Sequence, residues 1–232
     1  DSVFTDTAYV ARSLGGILAN AEAKGLALPH RQYATVVYGR PESVLFVDSV
    51  MLVALNHYLG ADYPGYSHWP VYMRLGKTPQ ALPYDLAEAL VATSYPYSLE
   101  GGDATALSRM IYEGVLTHAK MSLVPDARLG DALGYTDAQM RWLEENEGSI
   151  WRSIIHRQLL YDTSESTADR LVAPSPEVSV VEPAAPGRVG RYIGYRIVSA
   201  YLADHPDATL PQMLSPEFYK GNSVLINSQY QH

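Results

Sequence analysis

Between Pro186 and Tyr195 the chain reads PGRVGRYIGY, with glycines at 187, 190 and 194. That spacing, i, i+3, i+7, sets all three on one face of a helix. Each glycine costs a helix interior about 1 kcal/mol relative to alanine, so a helix that keeps three on one stripe needs a compensating gain. The simplest gain is a second backbone packed against the stripe, closer than a Cβ would allow. Arg188 and Arg191, three residues apart in the same segment, are planar forks that suit a carboxylate or a ligand anion. Close packing with an internal ion pair is one reading of the segment, and anion capture is the other.

No disulfide can staple such a crossing, because the 232 residues include no cysteine. The same absence excludes thiolate nucleophiles, Cys-ligated zinc and iron–sulfur clusters. With 47% apolar and 18% charged residues, the chain can bury a core and is not a disordered segment. A net charge of -8 and a pI near 5.3 argue against a nucleic-acid partner, which needs a basic surface. The longest uncharged stretch, Ser49 to Ala61, is too short and too polar to span a bilayer. Tyrosine outnumbers phenylalanine 18 to 3. A ring with a polar tip serves either a broad contact surface or the edges of a core. The sequence starts at Asp1 with no basic-then-apolar leader. Any signal peptide or lipid anchor is therefore expected to have been removed ahead of it.

Periodicity predicts a helix over Thr5–Lys24, with Ala8, Ala11, Leu14, Ile17 and Leu18 on one stripe and Gly25 as its stop. Tyr33–Tyr38, Ser43–Val47 and Val50–Leu55 together read as two or three strands. Helices follow over Tyr84–Tyr95, over Asp103–Leu123 with Asp103 as N-cap, and from a Thr136/Gln139 capping box to about Tyr161. Met140, Leu143, Ile150, Ile154 and Leu159 are the expected buried positions of the last. Residues 162–186, with prolines at 174, 176, 183 and 186, read as a long extended excursion. Only 46 residues follow it, too few for a second domain, so residues 1–232 are taken as one domain. Arg188–Leu202 and Leu210–Leu214 are predicted helical, and Ser223–Tyr230 is expected to pair as a strand or dock on the surface.

Recognised catalytic motifs are missing. No histidine is followed or preceded by glutamate, so neither HExxH nor its inverse occurs. The seven histidines (30, 57, 68, 118, 156, 205 and 232) are scattered, with no pair four apart. There is no phosphate loop and no dinucleotide fingerprint. Gly65-Tyr66-Ser67 starts like a nucleophile elbow, but Trp69 stands where the second glycine belongs. Besides the glycine–arginine segment, two constellations carry chemistry. Tyr112-Glu113-Gly114 with His118 offers a carboxylate and an imidazole five residues apart, read either as a base or metal ligand, or as a surface acid beside a core-edge histidine. The run from Asn56 to Tyr66, dense in Tyr, Gly and Pro, is either a binding rim or a rigid connection.

In family order along the chain, Leu55-Asn56-His57-Tyr58-Leu59-Gly60-Ala61-Asp62-Tyr63-Pro64-Gly65-Tyr66 resembles the "YLG-D-P-Y" signature of the GldB-like gliding-motility lipoproteins. Met110-Ile111-Tyr112-Glu113-Gly114 is similar to their "MIYEGK" helix, with Val115 in place of the lysine. Asn146-Glu147 with Trp151 resembles their "NE…W" helix. Pro186 to Gly190, with Gly194 to Val198 and Tyr201, resembles "PGRIG…GWQIV…Y", and Ser228 with Tyr230 resembles "SKY". The resemblance implies a lipid-anchored, exported protein facing the periplasm and linked to gliding motility or its secretion machinery. It also implies a zincin-like scaffold, distantly related to HExxH proteases, in which Tyr84–Ala92 takes the zinc-helix position with neither histidine present.

These readings combine into a helix-dominated α+β fold with a small N-terminal sheet and no cofactor, metal site or catalytic set. The expected groove is lined by Tyr58, Asp62, Tyr63, Tyr112, Glu113, His118, Arg188, Arg191 and Tyr192. Its expected occupant is a protein, peptide or glycan partner in the cell envelope. Contact with a membrane is expected only through an anchor outside this sequence. The competing expectation is a metal-dependent hydrolase with Glu113, His118 and His57 as ligands.

Overall fold

The computed structural model describes residues 8–29 and 32–231. Residues 5–7 of the first predicted helix, and His30 and His232, lie outside them. Helix α1 (Ala8–Ala23) buries Val10, Leu14, Ile17 and Ala21 and leaves Ala8 and Ala11 exposed. The buried stripe is rotated from the predicted one, because burying Val10 removes more apolar area from water than burying a small alanine. Gly25, at φ 73°, ends the turn after it. Strands β1 (Gln32–Val36), β2 (Val44–Val47) and β3 (Val50–Ala54) form one sheet in the order β1-β3-β2. The first runs parallel to β3 (Ala34 opposite Leu52), and the second antiparallel to it (Leu45 opposite Leu52). Asp48 takes a left-handed φ of 53° in the tight β2–β3 turn.

The remaining helices are α2 (Val71–Arg74), α3 (Leu82–Ser94), α4 (Ala106–Leu123), α5 (Leu129–Leu133), α6 (Asp137–His156), α7 (Glu165–Val172), α8 (Val189–Asp204), α9 (Leu210–Met213), α10 (Pro216–Tyr219) and α11 (Ser223–Ser228). The expected α+β class with a small sheet beside dominant helices is what the chain adopts. Four local expectations are corrected. Helix α4 is capped by Thr105, whose hydroxyl accepts from the Ser108 amide at 3.1 Å, while Asp103 closes a 3-10 turn before it. Helix α6 has the predicted capping box but stops at His156, and Gln158 reverses the chain at φ 56°. The reversal brings the Leu160 and Asp162 carbonyls onto the Leu107 and Ala106 amides of α4, satisfying donors that every helix start leaves open. The 162–186 excursion contains α7, because its prolines begin only at 174. The Gly-Arg helix begins at Val189, so Gly187 and Arg188 lie just outside it. Of the two readings of Ser223–Tyr230, docking is the one adopted: Ser223–Ser228 forms a helix packed against α8 with Val224 and Ser228 buried.

Helix α4 is the centre of this arrangement. Nearly its whole length is buried, charged Glu113 and Lys120 included. It meets α8 at a backbone crossing: a Cβ on Gly194 would strike the Met110 carbonyl, and one on Gly114 would strike the backbone of Gly194. Gly190 meets α7 at Leu171 in the same way, and Gly187 meets the Ser175 backbone. The glycine stripe thus has the close neighbours its cost demanded, three segments rather than one. Replacing Gly194 by alanine should separate α4 from α8. Overpacking of this kind costs about 3 kcal/mol or more, and a fall in the urea midpoint at unchanged m-value would register it.

Candidate functional site

Helices α3, α4 and α8 present charged side chains to one another in the interior. Glu88 of α3 receives Lys120 Nζ of α4 at 2.6 Å and Arg191 Nη1 of α8 at 2.9 Å. The same guanidinium lies 3.2 Å from Glu113 Oε2, and Arg109 lies 3.1 Å from Glu113 Oε1. The result is a chain of alternating charge, Lys120–Glu88–Arg191–Glu113–Arg109, across three helices. Burial works against ionising Glu88, but Lys120 and Arg191 together outweigh it and hold its carboxyl below the usual range. One turn earlier on α3, Asp85 accepts the Tyr58 hydroxyl at 2.8 Å, and burial pushes its carboxyl up.

Asp85 and Glu88 lie deep in the fold, yet Glu88 keeps 28% of its side-chain surface accessible. The two facts agree because both residues face a cavity of about 700 Å³ that is open to solvent at its exposed edge. Its walls come from residues 41–46 at the start of β2, from Lys77, from α3, from the Asp131–Gly134 end of α5, and from Arg188 and Arg191. Its size is that of a small-molecule site.

Of the nine residues expected in a groove, Arg188 and Arg191 line this cavity. Tyr58 and Glu113 stand one contact behind it, through Asp85 and Arg191. Asp62 and Tyr63 are on the outer surface. Tyr112 donates to the Tyr95 carbonyl at 2.9 Å and packs against Tyr97 and Tyr219. Tyr192 donates to Glu147, which also receives Tyr230. His118 faces α8, its ring stacked on Tyr195 with centroids 4.4 Å apart. The Asn56–Tyr66 run is internally tied. The Asn56 side chain bonds both backbone groups of Tyr38, His57 Nε2 lies 2.9 Å from the Tyr38 carbonyl, and the Tyr66 hydroxyl bridges the Asn56 carbonyl and the Leu59 amide. The trio His57, Glu113 and His118 is not brought together. Each is held by different neighbours, and among the described residues no three His, Cys, Asp or Glu side chains are placed to share a metal ion.

Sequence reasoning missed Lys77, Asp85, Glu88 and Lys120. The i, i+3 carboxylates of α3 were a legible signal, being two acids on one face of an otherwise apolar helix. The cations that meet them lie 32 and 103 residues from Glu88.

A helix-dominated α+β protein with a cavity beside an interior chain of ion pairs is the class that fold and site define. The chain belongs to the family described as gliding motility protein GldB, a lipoprotein family, whose sequence profile matches residues 6–232. No curated protein and no solved structure matches it significantly. Among the described residues no helix is long and apolar enough to cross a membrane.

Two predictions follow from the charges. Exposed pairs such as Arg128–Asp137 are worth little, whereas Arg191 compensates two interior carboxylates. Changing Arg191 to methionine should cost about 3 kcal/mol, read by urea denaturation, and adding Glu88→Gln should recover part of the loss. Burial pushes the His118 imidazole down to about 4. The Ser199 hydroxyl donates to the Tyr195 carbonyl, so neutral His118 donates Nε2–H to the Ser199 oxygen at 3.1 Å. Below the ordinary value of 6.5 the unfolded chain takes up a proton that the folded one refuses. Stability should therefore fall as pH drops from about 6.5 to 4, by about 3 kcal/mol in all. His118→Gln should flatten that part of the pH–stability curve.

Proposed function

We propose that this chain is the non-catalytic, exported binding domain of a cell-envelope lipoprotein of the gliding-motility or linked secretion apparatus, with the interior cavity as its binding site. The observation that carries the reading is the occupancy of the carboxylates. Glu88 is ion-paired with Lys120 and Arg191, which hold its carboxyl below the usual range and make it a weak base, and Glu113 is ion-paired with Arg109 and Arg191. Carboxylates paired in this way serve as counter-ions between the helices. Family membership supports the motility association, and the lipoprotein family supports an envelope location.

The reading of the scaffold as zincin-like rests on the resemblance. By that resemblance α3 takes the zinc-helix position without its histidines and α4 carries the "EG" pair Glu113-Gly114; in the fold, Arg191 joins Glu88 of α3 to Glu113 of α4.

A photo-crosslinking amino acid at Thr93, on the exposed part of the cavity wall, tests the proposal in living cells of the source bacterium. One reproducible adduct is expected from Thr93, and none from the same group at exposed Ile226. Equal labelling at both positions, or none at either, overturns the binding role of the cavity.

A further inference from the structure

Two cations in the cavity wall are left over from the charge chain. Lys77 is buried and donates to the Pro41 carbonyl at 2.8 Å and the Ser43 hydroxyl at 2.6 Å. Arg188 lies deep in the fold and has five N–H donors, of which one reaches the Leu133 carbonyl at 3.4 Å. Among the described residues, no carboxylate comes within salt-bridge distance of either.

The four acids of the wall compensate them only in part: Asp85 and Glu42 raise the Lys77 ammonium, and Glu88 and Asp85 raise the Arg188 guanidinium, but none forms an ion pair with either cation. Glu88 is taken up by Lys120 and Arg191. Asp85 accepts from Tyr58, and its burial favours the neutral form. Glu42 is exposed at the edge, and Asp131 lies on α5. The two cations also feel each other. After burial, the charge of Arg188 is one of the influences that lower the Lys77 ammonium.

The protein has made room for the guanidinium rather than covering it. Gly134, at φ 74°, sits where a Cβ would strike Arg188 Nη1. Arg188 itself takes a left-handed φ of 67° immediately before α8, a conformation that costs a non-glycine residue free energy. A strained, interior arginine with most of its donors unused, facing a cavity beside a second unpaired cation, is an arrangement that an anion completes. The wall also carries apolar side chains, Val44 and Phe46 from β2 and Ala81, Ala89 and Ala92 at and along α3, interspersed with the acids.

We propose that the cavity holds a small amphipathic organic anion, its carboxylate or phosphate head between Arg188 and Lys77 and its apolar body along the β2–α3 wall. The proposal rests on the cavity being the binding site and names the chemistry of what enters it. Arg188 supplies a planar fork and Lys77 a point charge, a pairing that accepts either acid.

Isothermal titration of the whole chain with octanoate, octyl phosphate and octanol is the test. One molecule of at least one anion should bind per chain, and octanol about tenfold more weakly or worse. Comparing octanoate with octyl phosphate identifies which acid the site takes. Arg188→Gln and Lys77→Gln should each weaken anion binding about tenfold and leave octanol unchanged. Because either variant can perturb folding, Ala89→Leu, which fills the apolar wall and removes no charge, serves as a second probe. It should block the alkyl probes in a protein whose circular dichroism is unchanged. Octanol binding as tightly as the anions, or anion binding indifferent to both charge variants, overturns the proposal. If no probe binds while the Thr93 adduct persists, the ligand chemistry fails and the binding role stands; if both are absent, both fail.

Discussion

The backbone contact between α4 and α8 at Gly114 and Gly194 is the constraint on which the other features depend. Without a side chain at either position, the helices approach until each touches the other's main chain. That closeness lets Arg191, three residues before Gly194, reach across to Glu113 on α4 and on to Glu88 on α3. With a wider crossing the guanidinium would fall short, and Glu88 and Glu113 would each lose one of their two cationic partners. A buried charge without its partner costs several kcal/mol, far more than a surface pair contributes. The glycine stripe and the charge chain are therefore one device: small residues set a distance, and the distance lets charges meet.

The same device explains why the centre of the protein is not fully packed. Five ionised side chains from three helices cannot interdigitate as aliphatic groups do, because each must keep its polar atoms toward a partner or toward water. Glu88 is paired and yet accessible for this reason, and the cavity is what remains beside the pairing. The tyrosines follow a related logic. Tyr58, Tyr66, Tyr112, Tyr135, Tyr192 and Tyr230 are buried, and each hydroxyl reaches a carbonyl or a carboxylate. Phenylalanine would fill the same space and leave those acceptors unsatisfied. Between the two readings of the tyrosine surplus, these six belong to the core.

Much of the fold was legible. The strand region, the capping box at Thr136, and helices α3, α4 and α6 follow from periodicity and caps, which act over a few residues. Errors fell where two local signals competed. Asp103 and Thr105 both cap well, and Thr105 is the one that reaches the Ser108 amide. The prolines after 173 obscured α7, which ends just before them. Less of the site was legible. Arg188 and Arg191 stood out because they sit among glycines. Tyr112 and Tyr192 were grouped with them by sequence motif, although successive helix positions point about 100° apart and so face different neighbours.

By itself the sequence determined the class of fold, the need for a backbone-close helix crossing, and membership of the GldB family, since these rest on short-range spacing and on ordered motifs. Only the tertiary structure decided that Glu88 meets Lys120 and Arg191, that His57, Glu113 and His118 do not meet, and that Lys77 and Arg188 share a cavity without carboxylate partners. The physical reason is range. Helix and strand patterns are set by neighbours a few residues apart, whereas a charge is satisfied by whatever the folded chain brings within about 4 Å of it, and here that partner lies up to 103 residues away.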